Sequence, residues 1–259
     1  MHADRVGLIK QLQKSRRAKV LIYVTGDRPG METQISPETL GLFVHHLDLL
    51  PSTRKICLFL YSRGGNTLAA WSIANLIRQF CDQFEVIVPF KAHSAATLIC
   101  LGADKIIMTK QASLGPIDPS VNTPLNPQIP GVPPPNNRMP VSVEAVRGFI
   151  GLAKEEFQIK DPGNLTPVLI KLAETVHPLV LGDGYRAQSQ IRMLAKKLLA
   201  KRKKGLGKRE DVEKIVSFLC SESGSHDYTI DRAEARDELG LPVDRSEEHT
   251  SELQSPNTI

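Results

Sequence analysis

Two short turns concentrate the residues whose types and spacing could do chemistry. In Ser62-Arg63-Gly64-Gly65-Asn66, a glycine pair follows an apolar run and precedes a helical pattern. Backbone N–H groups left over at such a helix start can receive an anion. In Ala92-His93-Ser94-Ala95-Ala96, a serine stands at the mouth of the next helical pattern, again directly after an apolar run. On neighbouring strands the two turns would share one sheet edge. Ser94 Oγ would then face the Gly64-Gly65 backbone, with the Gly65 and Ala95 amides converging on one point. A hydroxyl nucleophile beside two fixed donors is what acyl transfer requires, each donor being worth on the order of 3 to 4 kcal/mol to a developing oxyanion. Taken singly, each turn is also what packing produces, since glycine pairs suit close strand-to-helix turns and serine caps helices.

The elements that must position these turns follow from periodicity. Apolar runs at 19–24, 55–61, 84–90 and 105–108 read as buried strands, and helical patterns at 1–17, 37–50, 67–80 and 95–102 alternate with them. Ser36 is placed as N-cap of the 37–50 helix, with Pro37 at its first position. Strand, turn and helix in repetition predict an α/β fold, a mainly parallel sheet with helices packed on it. Residues 116–140 hold nine of the chain's 18 prolines, which predicts a long loop without regular structure. Helices are expected again at 142–159, capped by Ser142, then at 165–175, 182–200, 211–220 and 231–239, with Gly240 just past the last.

SRGGN followed by AHSAATLICLGADKIIMTKQASLGPIDP closely resembles the Clp protease/crotonase fold, and within it the serine dehydrogenase proteinase family, related to signal peptide peptidase A. The resemblance covers about 19–184, with an echo in 225–243. It implies a Clp/crotonase-like fold in which Ser94 is the nucleophile of a serine peptidase and the Gly65 and Ala95 amides form the oxyanion hole. The base is left open. Clp proteases supply a histidine just after the following strand, where this sequence has Asp118 within Leu114-Gly115-Pro116-Ile117-Asp118-Pro119. Signal peptide peptidases use a lysine from a later helix, which makes Lys154, Lys160 and Lys171 candidates. His177, flanked by apolar residues before Pro178, is the histidine candidate taken forward, with His226 of Ser225-His226-Asp227 as another. His93 adjoins the nucleophile and is expected to shape the pocket.

Composition bounds these readings. The 259 residues are 41% apolar, 24% charged and 5% aromatic, an ordinary globular composition that excludes disordered, collagenous and disulfide-scaffold classes. The longest apolar run, 95–103, is too short to span a membrane, for which about 18 to 20 residues are needed. The N-terminus lacks the apolar stretch of a secretory signal. Cys57, Cys81, Cys100 and Cys220 share no metal-ligand or redox spacing and read as buried thiols in a cytoplasmic protein. The formal charge of +5 is local, because 196–209 holds eight basic residues and no acidic one. That run reads as a solvated helix and turn, with nucleic-acid contact as the alternative.

The expected organisation is a catalytic core over 1–184, a basic helical extension over 185–244, and a tail over 245–259. In the tail, RSEEHTSELQS resembles a translated sequencing-library adapter and is left out of the fold. The function expected is peptide-bond hydrolysis without metal or organic cofactor, on peptide or protein substrates, by a homo-oligomer. A non-catalytic assembly or binding module of the same fold and a crotonase-type acyl-thioester enzyme are the alternatives.

Overall fold

The computed structural model describes residues 2–51, 53–134, 137–202, 209–222 and 227–244. The adapter-like tail, His226 and Lys203, Lys204 and Lys208 of the basic run lie outside the described residues. In chain order the elements are α1 (His2–Arg16), β1 (Lys19–Val24), α2 (Thr39–Asp48), β2 (Lys55–Tyr61), α3 (Thr67–Gln79), β3 (Gln83–Val88), β4 (Lys91–Ala92), α4 (Ala95–Leu101) and β5 (Lys105–Met108). There follow β6 (Ser113–Leu114), β7 (Ser120–Val121), β8 (Val141–Ser142), α5 (Val143–Gly151), α6 (Pro162–Thr175), α7 (Pro178–Ala200), α8 (Arg209–Ser217) and β9 (Val243–Asp244). Single π-helical turns continue α5 over Leu152–Glu156 and α8 over Phe218–Glu222, and a third spans Glu234–Glu238.

The main sheet has the order β1-β2-β3-β5-β9, and every pair in it is parallel. Strand alternation sorts its side chains onto two faces. Ile56, Leu58 and Leu60 of β2, Phe84, Val86 and Val88 of β3, and Ile106 and Met108 of β5 enter the large core with α3, α4 and α7. Cys57, Ile87 and Ile107 point to the opposite face, where they pack with Leu12 of α1. Glu85 of β3 also lies there and is held by Arg16 and Lys55, both at 2.8 Å.

Several expectations are corrected in detail. Helix α2 begins at Thr39 rather than Pro37, preceded by a tight turn in which the Thr39 and Leu40 N–H groups donate to the Ser36 and Pro37 carbonyls, and Ser36 does not cap it; its side chain bonds the Glu38 carboxylate and holds it below its ordinary range. The proline-rich stretch is not devoid of regular structure. Its two ends pair as the antiparallel β7–β8 ladder, and Gln128 pairs with Arg138 across it. The fully buried Asn126 pins it by donating to the Val121 and Met139 carbonyls at 2.6 and 2.9 Å.

The described residues of 185–244 do not stand apart as an extension. Ile191, Leu194, Leu198, Leu219, Ile230 and Val243 belong to the same core as the sheet, and β9 pairs with β5 as an edge strand. Nor is the basic run simply solvated. Arg202 is buried, donates Nε–H to the Leu101 carbonyl at 3.0 Å, and is pulled down to about 10 by that burial. Lys196 pairs with Glu213 at 2.6 Å. Among the described residues no single helix is long and apolar enough to cross a membrane. Burial pushes the thiols of Cys57, Cys100 and Cys220 up to about 12 and that of Cys81 to about 11.

Candidate active site

The two turns meet. The Ser62 N–H donates to the Lys91 carbonyl and the His93 N–H donates to the Ser62 carbonyl, both at 3.0 Å, so Ser62 and Ala92 form a parallel bridge beyond the ends of β2 and β3. This carries the glycine pair alongside the serine. A Cβ on Gly64 would stand 2.8 Å from Ser94 Cβ and 3.0 Å from the His93 carbonyl, so only glycine permits the approach. Gly65 is equally constrained from the other side. A Cβ there would lie 2.4 Å from the Ile35 carbonyl oxygen.

Peptide planarity then fixes the donors. The Gly64 carbonyl accepts the Ile35 N–H at 2.9 Å, and a trans peptide directs the Gly65 N–H the opposite way, away from Ile35 and into the cleft that Gly64, Gly65 and Ser94 line. Ala95 is the first residue of α4, so its N–H has no helical acceptor. Among the described residues neither amide is spent on another partner.

Ser94 sits between strand and helix at φ +52° and ψ −118°, a conformation that costs a non-glycine residue of order 1–3 kcal/mol. Its hydroxyl makes no cap bond to its own helix, although serine at this position ordinarily would. The strain is held by neighbours. Thr97 Oγ1, fully buried, lies 2.7 Å from the Ala92 and Gly115 carbonyl oxygens and accepts the Gly115 N–H at 3.1 Å. The loop that supplies Ile35 is fastened as well. Asp27 accepts from Tyr61 Oη and, at 3.3 Å, from Lys91 Nζ, which lowers the Asp27 carboxyl, while burial pushes the Tyr61 hydroxyl up to about 12.

A cleft of about 430 Å³ opens in front of Ser94. Its near wall is Arg63, Gly64, Gly65 and Asn66; its far wall is Asp118, Pro119 and Ser120 with Ala187, Gln190 and Ile191 of α7. The α7 residues were not anticipated as site residues, since nothing in their local pattern marks them. Asp118 is buried and accepts the Ser142 hydroxyl at 3.1 Å. Behind it, burial raises the Glu144 carboxyl, Arg147 opposes that shift and the Asp118 charge adds to it.

The remaining base candidates lie elsewhere. His177 is exposed, not enclosed by its apolar neighbours; its Nδ1 accepts the Leu179 N–H at 3.2 Å and caps α7. Lys171 is exposed and pairs with Glu174 at 3.0 Å. Lys154 and Lys160 are exposed on the π-helical turn after α5 and on the turn before α6. None of these four lines the cleft. His93 turns away from the serine, with Nε2 at 2.9 Å from Ser113 Oγ and its ring over Gly115.

Against known proteins, residues 42–132 match the model of a family described as ClpP-like SDH-type serine proteinase. A protein of Methanocaldococcus jannaschii, "Uncharacterized protein MJ0137", is 34% identical over 194 residues, which cover 75% of this chain and 55% of the relative. A second protein from that organism, "Uncharacterized protein MJ1495", is 40% identical over 73 residues, 28% of this chain and 25% of its own length. The chain thus spans about half of the first relative and a quarter of the second. Among solved structures, a 1510-N membrane-bound stomatin-specific protease resembles it in two forms. One is a lysine-to-alanine mutant in complex with a substrate peptide, at 16% identity and a TM-score of 0.50, covering 86% of this chain and 73% of that one. The other is a serine-to-alanine mutant with the same identity and score, covering 86% and 77%. At that identity the likeness is one of fold.

Proposed function

We propose, from the match of residues 42–132 to the model of a family described as ClpP-like SDH-type serine proteinase, that the protein is a serine peptidase acting on peptide or protein substrates. Ser94 Oγ attacks the substrate carbonyl carbon. The Gly65 and Ala95 N–H groups receive the oxygen as it gains negative charge, and the Ser94 proton passes to Asp118, directly or across one water. That proton returns to the leaving amine when the peptide bond breaks, leaving an acyl group on Ser94 that water then removes. The observation that carries this reading is the Ser62–Ala92 bridge, which brings to one cleft a strained serine and a Gly65 amide that has no partner among the described residues. Asp118 is assigned the proton because, of the base candidates among the described residues, it alone lines that cleft.

A peptide substrate is supported by the fold neighbour held in complex with a substrate peptide. Hydrolysis of fluorescein-labelled casein by the wild-type chain and by Ser94→Ala tests the reading. Turnover lost in the variant supports it; equal turnover removes it.

One observation favours a second reading. Among the described residues no histidine or lysine nitrogen is hydrogen-bonded to Ser94 Oγ. A non-catalytic binding module of the same fold would keep the cleft and lack an effective base. It predicts no turnover of casein and no covalent capture of Ser94 by a fluorophosphonate.

A further inference from the structure

The oxyanion turn is held by a buried hydroxyl that the mechanism above does not use. Ser62 is fully buried, and its Oγ accepts the Gly64 N–H at 3.0 Å. Thr25, 4% exposed at the end of β1, donates Oγ1–H to the same oxygen at 2.9 Å. The Ser62 proton has the Gly64 carbonyl oxygen at 3.4 Å as its acceptor. A hydroxyl offers one donor and two lone pairs, so this one is completely spent. The Ser62 backbone is committed too, through its bonds to Lys91 and His93. One residue thus ties the end of β1, the glycine turn and the strand that delivers Ser94.

The glycine pair needs such a tie. Gly64 and Gly65 stand at φ +118° and +138°, and glycine permits the peptide between them many other orientations. Rotation of that peptide would swing the Gly65 N–H out of the cleft. Its orientation is set by fixing the Gly64 unit at both ends, with the carbonyl on the Ile35 N–H and the amide on Ser62 Oγ. We propose that Ser62, supported by Thr25, is a positioning residue that aims the Gly65 N–H at the substrate oxyanion without touching substrate. This inference rests on the peptidase reading and deepens it.

The test is steady-state hydrolysis of fluorescein-labelled casein by Ser62→Ala, Thr25→Val and Thr25→Ser, with the melting temperature of each. An amide aimed at the transition state changes kcat and leaves ground-state binding alone. Ser62→Ala is expected to lower kcat about tenfold or more with KM within about twofold of wild type. Thr25→Val lowers kcat about threefold, and Thr25→Ser, which restores the hydroxyl, returns it to the wild-type value. A folded Ser62→Ala with wild-type kcat overturns the proposal, as does a loss of kcat matched by an equal rise in KM. If Ser62→Ala does not fold, the threonine pair decides: Thr25→Val at wild-type kcat, or a loss that Thr25→Ser fails to rescue, overturns it. A wild-type chain with no turnover and no fluorophosphonate capture overturns the peptidase reading and this inference together, whereas an active wild type matched by Ser62→Ala overturns this inference alone.

Discussion

The two walls of the cleft are built by different means. The near wall, 62–66 and 92–96, is backbone: parallel bridges from Ile35 to Gly65 and from Ser62 to Ala92, with positive φ at Gly64, Gly65 and Ser94. The far wall is side chains, Asp118 and Ser120 from the segment after β6 with Gln190 and Ile191 of α7. It is held by tertiary contacts, such as the Ile117 N–H on the Leu219 carbonyl at 2.7 Å. A wall made of backbone orients donors rigidly and tolerates almost no substitution. A wall made of side chains can change its chemistry one residue at a time while the fold stays in place.

That difference predicts how each wall breaks. The largest effect belongs to Gly65→Ala, where the new Cβ meets the Ile35 backbone at 2.4 and 2.6 Å in a left-handed conformation. Casein hydrolysis should vanish and thermal unfolding should show a loss of about 3 kcal/mol, near 10 °C in Tm. An active, stable Gly65→Ala would mean that the near wall is less rigid than described. Asp118→Asn, on the far wall, should keep Tm within a few degrees while lowering kcat by about 10²- to 10⁴-fold. Unchanged kcat would remove Asp118 as the proton acceptor.

Smaller effects sharpen the contrast. Ser94→Gly releases the strain at φ +52°. It should raise Tm by about 3 °C in calorimetry while abolishing turnover, stability gained at the cost of function. A lower Tm would show that the serine side chain stabilises its own turn. The smallest effect concerns pH. Burial holds the Glu144 carboxyl above its ordinary range, so ionising it costs the folded state. That cost is absent below the unfolded carboxylate range, accrues as pH rises from there toward the raised folded value, and is complete above it. Glu144→Gln should therefore raise Tm by about 1 °C at neutral pH and leave it unchanged in acid buffer. The reverse pattern would contradict the assigned environment.

The near wall was legible in the sequence and the far wall was not, for the same physical reason. Runs such as Lys55–Tyr61 and Lys105–Met108 are short, apolar and buried on both faces, so strand, turn and helix follow one another locally and the turns between them can be named. Gln190 and Ile191 reach the cleft only through the packing of α7 against the α4 side of the sheet, which no local pattern encodes. Strand β9 is two residues long and could not have been seen. The apolar neighbours of His177 do not enclose it. A histidine directly before Pro178 also fits an N-cap followed by proline at the first helical position, and that is the role it has. Ser36 and Ser142 illustrate the limit of capping rules: Ser142 caps α5 through the Ala145 N–H at 3.2 Å, while Ser36 is diverted to Glu38.

The central claim is that Ser94 is a nucleophile facing two backbone donors, and covalent capture tests it most directly. The wild-type chain is treated with a fluorophosphonate and the modified residue is located by peptide mass spectrometry. A single adduct on Ser94, absent from Ser94→Ala and slowed in Asp118→Asn, is the expected result. An adduct on another serine, or none on a chain shown to be folded, would contradict the account.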